Sequence, residues 1–437
     1  MSESKTVKRT PFIAKVGAAV IAILLIRHTF GGIIRYGLSE TNLSFLWFAP
    51  DALVSVALAL SFFAAIRSKE LLRRVVLGLS LVLLALPAIT GYANGNNLLS
   101  IVSGYKIIAP LVLCLNTPFL LREMTKRYFW LWCALLAVTL AFLIADQFID
   151  YPWVGDRFVQ FGVEREVSRQ WWATYAVGDG SRVTLSRQAG ATVASMSAGA
   201  LLVMFYALIR TRLKNIWIEL LIVLACLYGV FLTDSKTTYF CILLVFICGN
   251  LPRLPDFIKN LVSFDVKAGV QQTLSWALLA VGFIPMIIGF TREASPYYAY
   301  NSFMDRINFT WPSSMARMGE IGGDSAYIWG AGYGSFGSPS YYSGKYIATT
   351  AAVDNFMLYQ YAICGGLALI LYYLLARVAT RAEGTALALF AALIPYSFAT
   401  SNEGPECLLL AGLALSNALY ATRIQWLPFQ TGIKFRY

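Results

Sequence analysis

Several polar residues stand where long apolar runs end, and their types suit the handling of phosphates and sugars. Arg187 immediately precedes one apolar run, and Arg306 and Arg317 lie in a long polar stretch between two others. A guanidinium grips phosphate through a planar fork, so arginine chosen over lysine in such places points to anion binding. Asp234 and Lys236 share a minimal turn between two runs, Asp354 and Asn355 open another, and Glu403 and Glu406 stand before the last. A carboxylate so placed can take a proton from a hydroxyl. It can equally act as a helix N-cap or first-turn acid, favourable by about 0.3–1 kcal/mol. Glu406, directly after Pro405, fits either role. Lys106 lies inside a run, where charge defaults to function or snorkels to the interface.

The elements that must position these residues follow from composition. Of 437 residues, 58% are hydrophobic and 13% charged, with a mean hydropathy of +0.62. A soluble domain carries about 25% charged residues, so this chain cannot cover a water-facing surface. A disordered tail, a collagen-like chain and a disulfide scaffold are excluded on the same grounds. Apolar runs lie near 11–29, 45–66, 74–92, 98–120, 128–146, 188–209, 215–233, 236–251, 273–291, 353–376, 384–400 and 405–421. A helix crossing the ~30 Å hydrocarbon layer needs about 17–25 such residues. A β-barrel would alternate apolar and polar residues over ~10 positions; these runs are continuously apolar. The expected fold is an all-α polytopic integral membrane protein with about 12 transmembrane helices and two long outer loops. Helices one to five fall in 1–146, the first loop in 147–187, helices six to nine in 188–291, the second loop in 292–352, and helices ten to twelve with a tail in 353–437.

Basic residues set the expected orientation. Lys5, Lys8 and Arg9, then Arg67 to Arg74, Arg122 to Arg127, Arg210 to Lys214, Arg253 to Lys267, Arg377 with Arg381, and Arg423 to Arg436 occupy every second connection. The positive-inside bias makes these cytoplasmic, together with both termini. The first run lacks a small-residue cleavage site and reads as an anchor. Counted with Lys15, that side holds 22 basic and 7 acidic residues, against 13 and 16 elsewhere. The net charge of +12 is therefore a topology signal, and nucleic acid is not an expected partner. The seven cysteines all sit in or at the ends of runs, with no metal-binding spacing. His28, the only histidine, reads as a helix-end interfacial residue.

Both outer loops are long enough to suggest function. The first carries Arg157, Arg165, Arg169, Arg182 and Arg187, the second Arg292, Arg306, Arg317 and Lys345, each with a similar number of acids. Local pairing plus a few directed guanidinium groups is the expectation. Trp153, Trp171, Trp172 and Tyr175 mark the first loop. Tyr297, Tyr298, Tyr300, Trp311, Tyr327, Trp329, Tyr333, Tyr341, Tyr342 and Tyr346 spread through the second. Such rings stack on sugars or anchor loops at the interface, and their spread favours a glycan surface in the second loop. The glycine-dense stretch 322–344 allows tight backbone and close approach of a ligand, or is plain loop punctuation.

Four patches carry a resemblance to a known family. TLSRQAGATVASMSAGALL (184–202), LTDSKTTYF (232–240), DRINFTWPSSMAR with WGAGYGSFG (305–337), and VDNFMLYQYAICGGLA with SNEGPECLLLAG (353–368 and 401–412) resemble motifs of the Wzy-type O-antigen and exopolysaccharide polymerases. The O-antigen ligases are relatives of these. Those ligases look to use an outer-loop histidine; here Asp354-Asn355 stands in that place, which favours the polymerase. The resemblance implies a GT-C-like membrane fold in the bacterial inner membrane. It implies a metal-independent glycosyltransferase without cofactor. A growing glycan would pass from undecaprenyl diphosphate to a sugar hydroxyl of a new lipid-linked repeat unit at the periplasmic face. Membrane lipids, a chain-length regulator and a flippase of the same pathway are the implied partners. Under this reading Arg187, Arg306, Arg317 and Lys236 hold the diphosphate, with Asn355 beside them. Asp354, then Glu406, is the base, and Trp311 positions a sugar. Ligase-type transfer and a flippase or transporter are the alternatives.

Overall fold

The computed structural model describes residues 11–41, 43–169, 171–176, 182–253, 266–295, 302–343, 353–399 and 406–421. Tyr297, Tyr298, Tyr300, Lys345, Tyr346 and Glu403 lie outside these, as do the side chains of Trp171, Trp172, Tyr175 and Arg182. Hydrocarbon cannot hydrogen-bond a peptide group, so apolar runs satisfy their own backbone as helices. In chain order these are α1 (Phe12–Thr29), α2 (Gly31–Glu40), α3 (Ala49–Ile66), α4 (Leu71–Ala93), α5 (Leu98–Asn116), α6 (Leu120–Arg127) and α7 (Phe129–Ala145). After the first long loop come α8 (Ser195–Ile209), α9 (Ile216–Thr233), α10 (Lys236–Asn250) and α11 (Val266–Thr291). A one-turn helix Ser302–Asp305 and a π-turn Arg306–Thr310 lead into α12 (Trp311–Gly322). Then follow α13 (Ser325–Trp329), α14 (Phe356–Cys364), α15 (Gly366–Ala379), α16 (Gly384–Ala399) and α17 (Glu406–Ala421).

Among the described residues, six helices are long and apolar enough to cross a membrane: α1, α3 with the turn before it, α4, α5, α9 and α11. A seventh counts if α6 and α7, which meet at 75°, form one bent span. The helices α10, α15, α16 and α17 are apolar but shorter. The peripheral α3, α4 and α9 expose Val56, Phe63, Val75, Ile89, Leu221 and Phe231, a surface that matches lipid rather than water. Inside them, α5, α8, α16 and α17 are buried on nearly all sides.

Three of the twelve expected runs are interrupted, each for a local reason. The run 98–120 stops at Asn116, because Thr117 is extended and Phe119 takes a left-handed φ of 63°. The run 188–209 becomes helical only at Ser195. Before it, the Asp146 carboxylate accepts the N–H groups of Ala189 at 3.0 Å and Gly190 at 2.9 Å. Gly32 donates to the Ala191 carbonyl at 2.7 Å. Pinned this way, the segment cannot coil. The run 353–376 breaks at Gly365, whose φ of 57° suits only a residue without a Cβ.

The helical bundle agrees with the expected all-α membrane fold, and the first long loop adds two antiparallel hairpins to it. In one, β1 (Arg157–Gln160) pairs with β2 (Val163–Glu166), Arg157 opposite Glu166. Its two-residue turn is Phe161-Gly162, both at positive φ (50° and 79°), as right-handed strand twist favours. In the other, β3 (Trp171–Ala176) pairs with β4 (Arg182–Arg187), Trp171 opposite Arg187.

The glycine-dense stretch runs into the bundle. Pro87 in α4 has no N–H, which leaves the Leu83 carbonyl without its usual helical donor. The Tyr333 hydroxyl donates to that carbonyl at 2.9 Å. The Tyr333 N–H donates to the Pro87 carbonyl at 2.8 Å, and the Asn96 side chain donates to the Tyr333 carbonyl at 2.9 Å. On the far side, the N–H groups of Ala331 and Gly332 reach the carbonyls of Ala362 at 2.8 Å and Ile363 at 3.1 Å, beside the Gly365 break. A Cβ on Gly330 or Gly332 would overlap the backbone of Ile363 or Gly91. The close approach that these glycines permit is thus to the protein's own helices.

Candidate anion-binding cavity

One end of the bundle gathers polar residues from across the chain. The last turn of α1 brings Arg27 and His28, and α2 brings Arg35. The turn Ser44–Phe48 brings Trp47, the first turn of α3 Asp51, and α5 Lys106. The first hairpin and the strand leaving it add Arg157, Glu164, Arg165, Glu166 and Arg169. Val193, Ala194 and Ser197 come from the start of α8, Ser338 and Tyr341 from the second loop, and Glu406 from the start of α17. Together they line a cavity of about 550 Å³.

Six basic side chains and four carboxylates face this space, and the carboxylates are partly spoken for. Arg27, 6% exposed, forms an ion pair with Asp51, donates to the Trp47 carbonyl at 3.1 Å and lies over the Trp47 ring. Arg35 covers the same ring, 4.4 Å from its centroid. Lys106 lies over Phe48 at 4.4 Å. Arg165 donates to the Ser338 carbonyl at 3.0 Å and lies over Tyr342 at 4.6 Å. Arg157 pairs with Glu164 at 3.6 Å on the exposed rim. Aromatic faces hold these guanidinium groups without neutralising them.

Burial, then the neighbouring Arg165 and Arg27, push the Arg35 guanidinium down to about 9, against an opposing pull from Tyr342. It remains a cation at neutral pH, but a disfavoured one. The Nε–H groups of Arg27 and Arg35 have no hydrogen-bond partner among the described residues. A bound anion would relieve the repulsion and supply the acceptors. The hairpin is fixed over this space by bonds in two directions. Gln160 donates to the Ser44 carbonyl at 3.1 Å and accepts from the Tyr342 hydroxyl at 3.1 Å.

His28 corrects its reading as an interfacial residue. It is 6% exposed, and its ring meets the first residue of α17. Its Nδ1 lies 3.3 Å from Glu406 Oε1 and its Nε2 3.1 Å from Arg27 Nη2.

Among the residues singled out as catalytic or substrate-binding in the sequence, Glu406 alone lines the cavity. Arg187 pairs with Asp234 at 3.2 Å, beside the turn that Lys236 follows as the first residue of α10. Arg306 pairs with Asp354 at 3.4 Å, and Arg317 with Glu320 at 3.1 Å. Asn355 is the N-cap of α14, accepting the Leu358 N–H at 2.9 Å and donating to the carbonyls of Val281 at 2.9 Å and Ser397 at 2.7 Å. Trp311 is fully buried against Phe398. Tyr333 and Tyr342 are likewise interior, while Trp329 is exposed and Tyr341 faces the cavity. The first-loop arginines 157, 165 and 169 do reach the cavity. Arg27, Arg35 and Asp51 were not singled out. Their available signal was charge at the end of an apolar run.

Among the described residues no three His, Cys, Asp or Glu side chains converge as metal ligands would. The seven cysteines are free thiols. Comparison of the chain with protein-family models, curated proteins and solved structures returns no match.

Proposed function

We propose that this protein is a membrane glycosyltransferase of the polysaccharide-polymerase type. In this reading it moves a growing glycan from undecaprenyl diphosphate to a sugar hydroxyl of a new lipid-linked repeat unit. The observation that carries it is the cationic cavity at one end of an apolar helix bundle, where a lipid tail and a charged diphosphate can be held at once. The donor is already activated by its diphosphate, so the protein needs to grip that group, stabilise its charge as it leaves, and orient the acceptor. Arg35, Arg165, Arg169 and Lys106 serve the first two tasks. Of the two carboxylates expected to serve the third, Glu406 is in the cavity and Asp354 is held by Arg306. The charge distribution supports placing the cavity at the periplasmic face of a bacterial inner membrane. A flippase and a chain-length regulator would act before and beside it.

The test is purified protein with a synthetic undecaprenyl-diphosphate repeat unit, without nucleotide, resolved on a gel. A ladder of products is expected, and it should be lost in Arg165→Ala. Transfer of one glycan to a non-diphosphate lipid acceptor would mean a ligase instead. Movement of intact substrate across a vesicle membrane without transfer would mean a flippase.

A further inference from the structure

We propose that His28, oriented by Glu406, receives the proton of the attacking hydroxyl. The inference rests on the transferase reading of the cavity and goes on to name its base. Arginine has only N–H donors, so the contact of Arg27 Nη2 with His28 Nε2 at 3.1 Å makes Nε2 the acceptor. The remaining proton must then sit on Nδ1, facing Glu406 Oε1 at 3.3 Å. This tautomer leaves one lone pair, on Nε2, with a carboxylate behind the ring. This is the base-and-orienter geometry of nucleophile activation. Glu406 is itself fixed, as a first-turn residue of α17 whose helix end favours a negative charge.

Arg27 occupies the Nε2 lone pair while also bonded to Asp51 at 3.2 Å. A diphosphate in the cavity offers this guanidinium a stronger acceptor and leaves Nε2 to the acceptor sugar. The hydroxyl oxygen then forms a bond to the anomeric carbon of the donor. The bond from that carbon to the diphosphate oxygen breaks, and its electron pair stays on the diphosphate. The hydroxyl proton moves to Nε2, the imidazolium is held by Glu406, and the proton is afterwards released to water.

Because His28 is the only histidine in the chain, every imidazole signal reports on it. The protein is purified through a non-histidine tag and labelled with ¹⁵N-histidine. Its single imidazole should show the Nδ1-protonated tautomer, and Glu406→Gln should shift that tautomer balance while Glu406→Asp largely keeps it. In single-turnover assays His28→Gln should lower kcat by about 10²-fold or more with KM within about threefold. Should His28→Gln fail to fold, carbethoxylation of the wild-type imidazole by diethyl pyrocarbonate replaces it. One modified ring per chain should abolish turnover, and hydroxylamine should restore it. An active wild type with an equally active His28→Gln, or an Nε2-protonated ring, overturns the role of His28 and leaves the transferase reading standing. A folded wild type that transfers nothing from any lipid diphosphate overturns both.

Discussion

Arg306 with Asp354 and Arg187 with Asp234 are half-buried ion pairs at 3.4 and 3.2 Å, and the pairing itself predicts their behaviour. Pairs open to solvent contribute about 0.2–1 kcal/mol. Reversing one charge, as in Arg306→Asp or Asp354→Arg, should lower the thermal midpoint by about 2–4 °C and, on the proposed transferase reading, reduce polymer. The double exchange should restore both, read by thermal shift and by gel ladder. A folded double exchange without polymer would show that these two side chains act on substrate. Arg35 behaves differently, since its charge is held among other cations. On the proposed transferase reading, Arg35→Ala should raise KM for the lipid diphosphate about 10-fold or more at unchanged protein level, the scale of one charge-assisted hydrogen bond. Arg35→Lys should recover only part, because a point charge lacks the fork. Arg165 and Arg169 were visible as arginines of a long loop, but nothing in the sequence set them above Arg187 or Arg306 as ligands. The pairing of His28 with Glu406 was not legible. Nothing local in either sequence window reports that the start of the last helix meets the end of the first.

At the scale of elements, the long apolar runs were legible because continuous apolar sequence leaves a backbone no alternative in lipid. Their interruptions were less so. Gly365-Gly366 inside the run 353–376 is a visible weak point, but the break is enforced by a partner, the stretch around Gly330, that no window shows. The Phe161-Gly162 turn carried a readable hairpin signal between charged, alternating strands. The glycines offer a test with an internal control. Gly332→Ala must meet both a φ of 82° and the Gly91 backbone, and should abolish the folded protein, seen as loss of the monodisperse peak in detergent chromatography. Gly323→Ala also sits at positive φ (59°, with ψ −157°) but in open space, and should cost only about 1–3 kcal/mol.

For the molecule as a whole, the charge asymmetry makes a prediction about sides. Ser325, exposed at the cavity-bearing end, and Lys69, exposed between α3 and α4, should fall on opposite faces of the membrane. Ser325→Cys should react with an impermeant maleimide in intact spheroplasts, and Lys69→Cys only after lysis. The native thiols are buried or half-buried, so the wild type supplies the blank. Labelling of both before lysis, or of Lys69→Cys alone, would refute the orientation. The threading of Tyr333 through α4 and α5 has a consequence for biogenesis. The Asn96 amide waits for a partner 237 positions further along the chain. At about 5–20 residues per second, the ribosome needs on the order of 10–50 s to deliver it. For that interval the first helices sit in the bilayer with an open slot and unanswered polar groups. The translocon, a chaperone or lipid headgroups must shelter them. A chain truncated before Gly330 is then a natural substrate for membrane quality-control proteases.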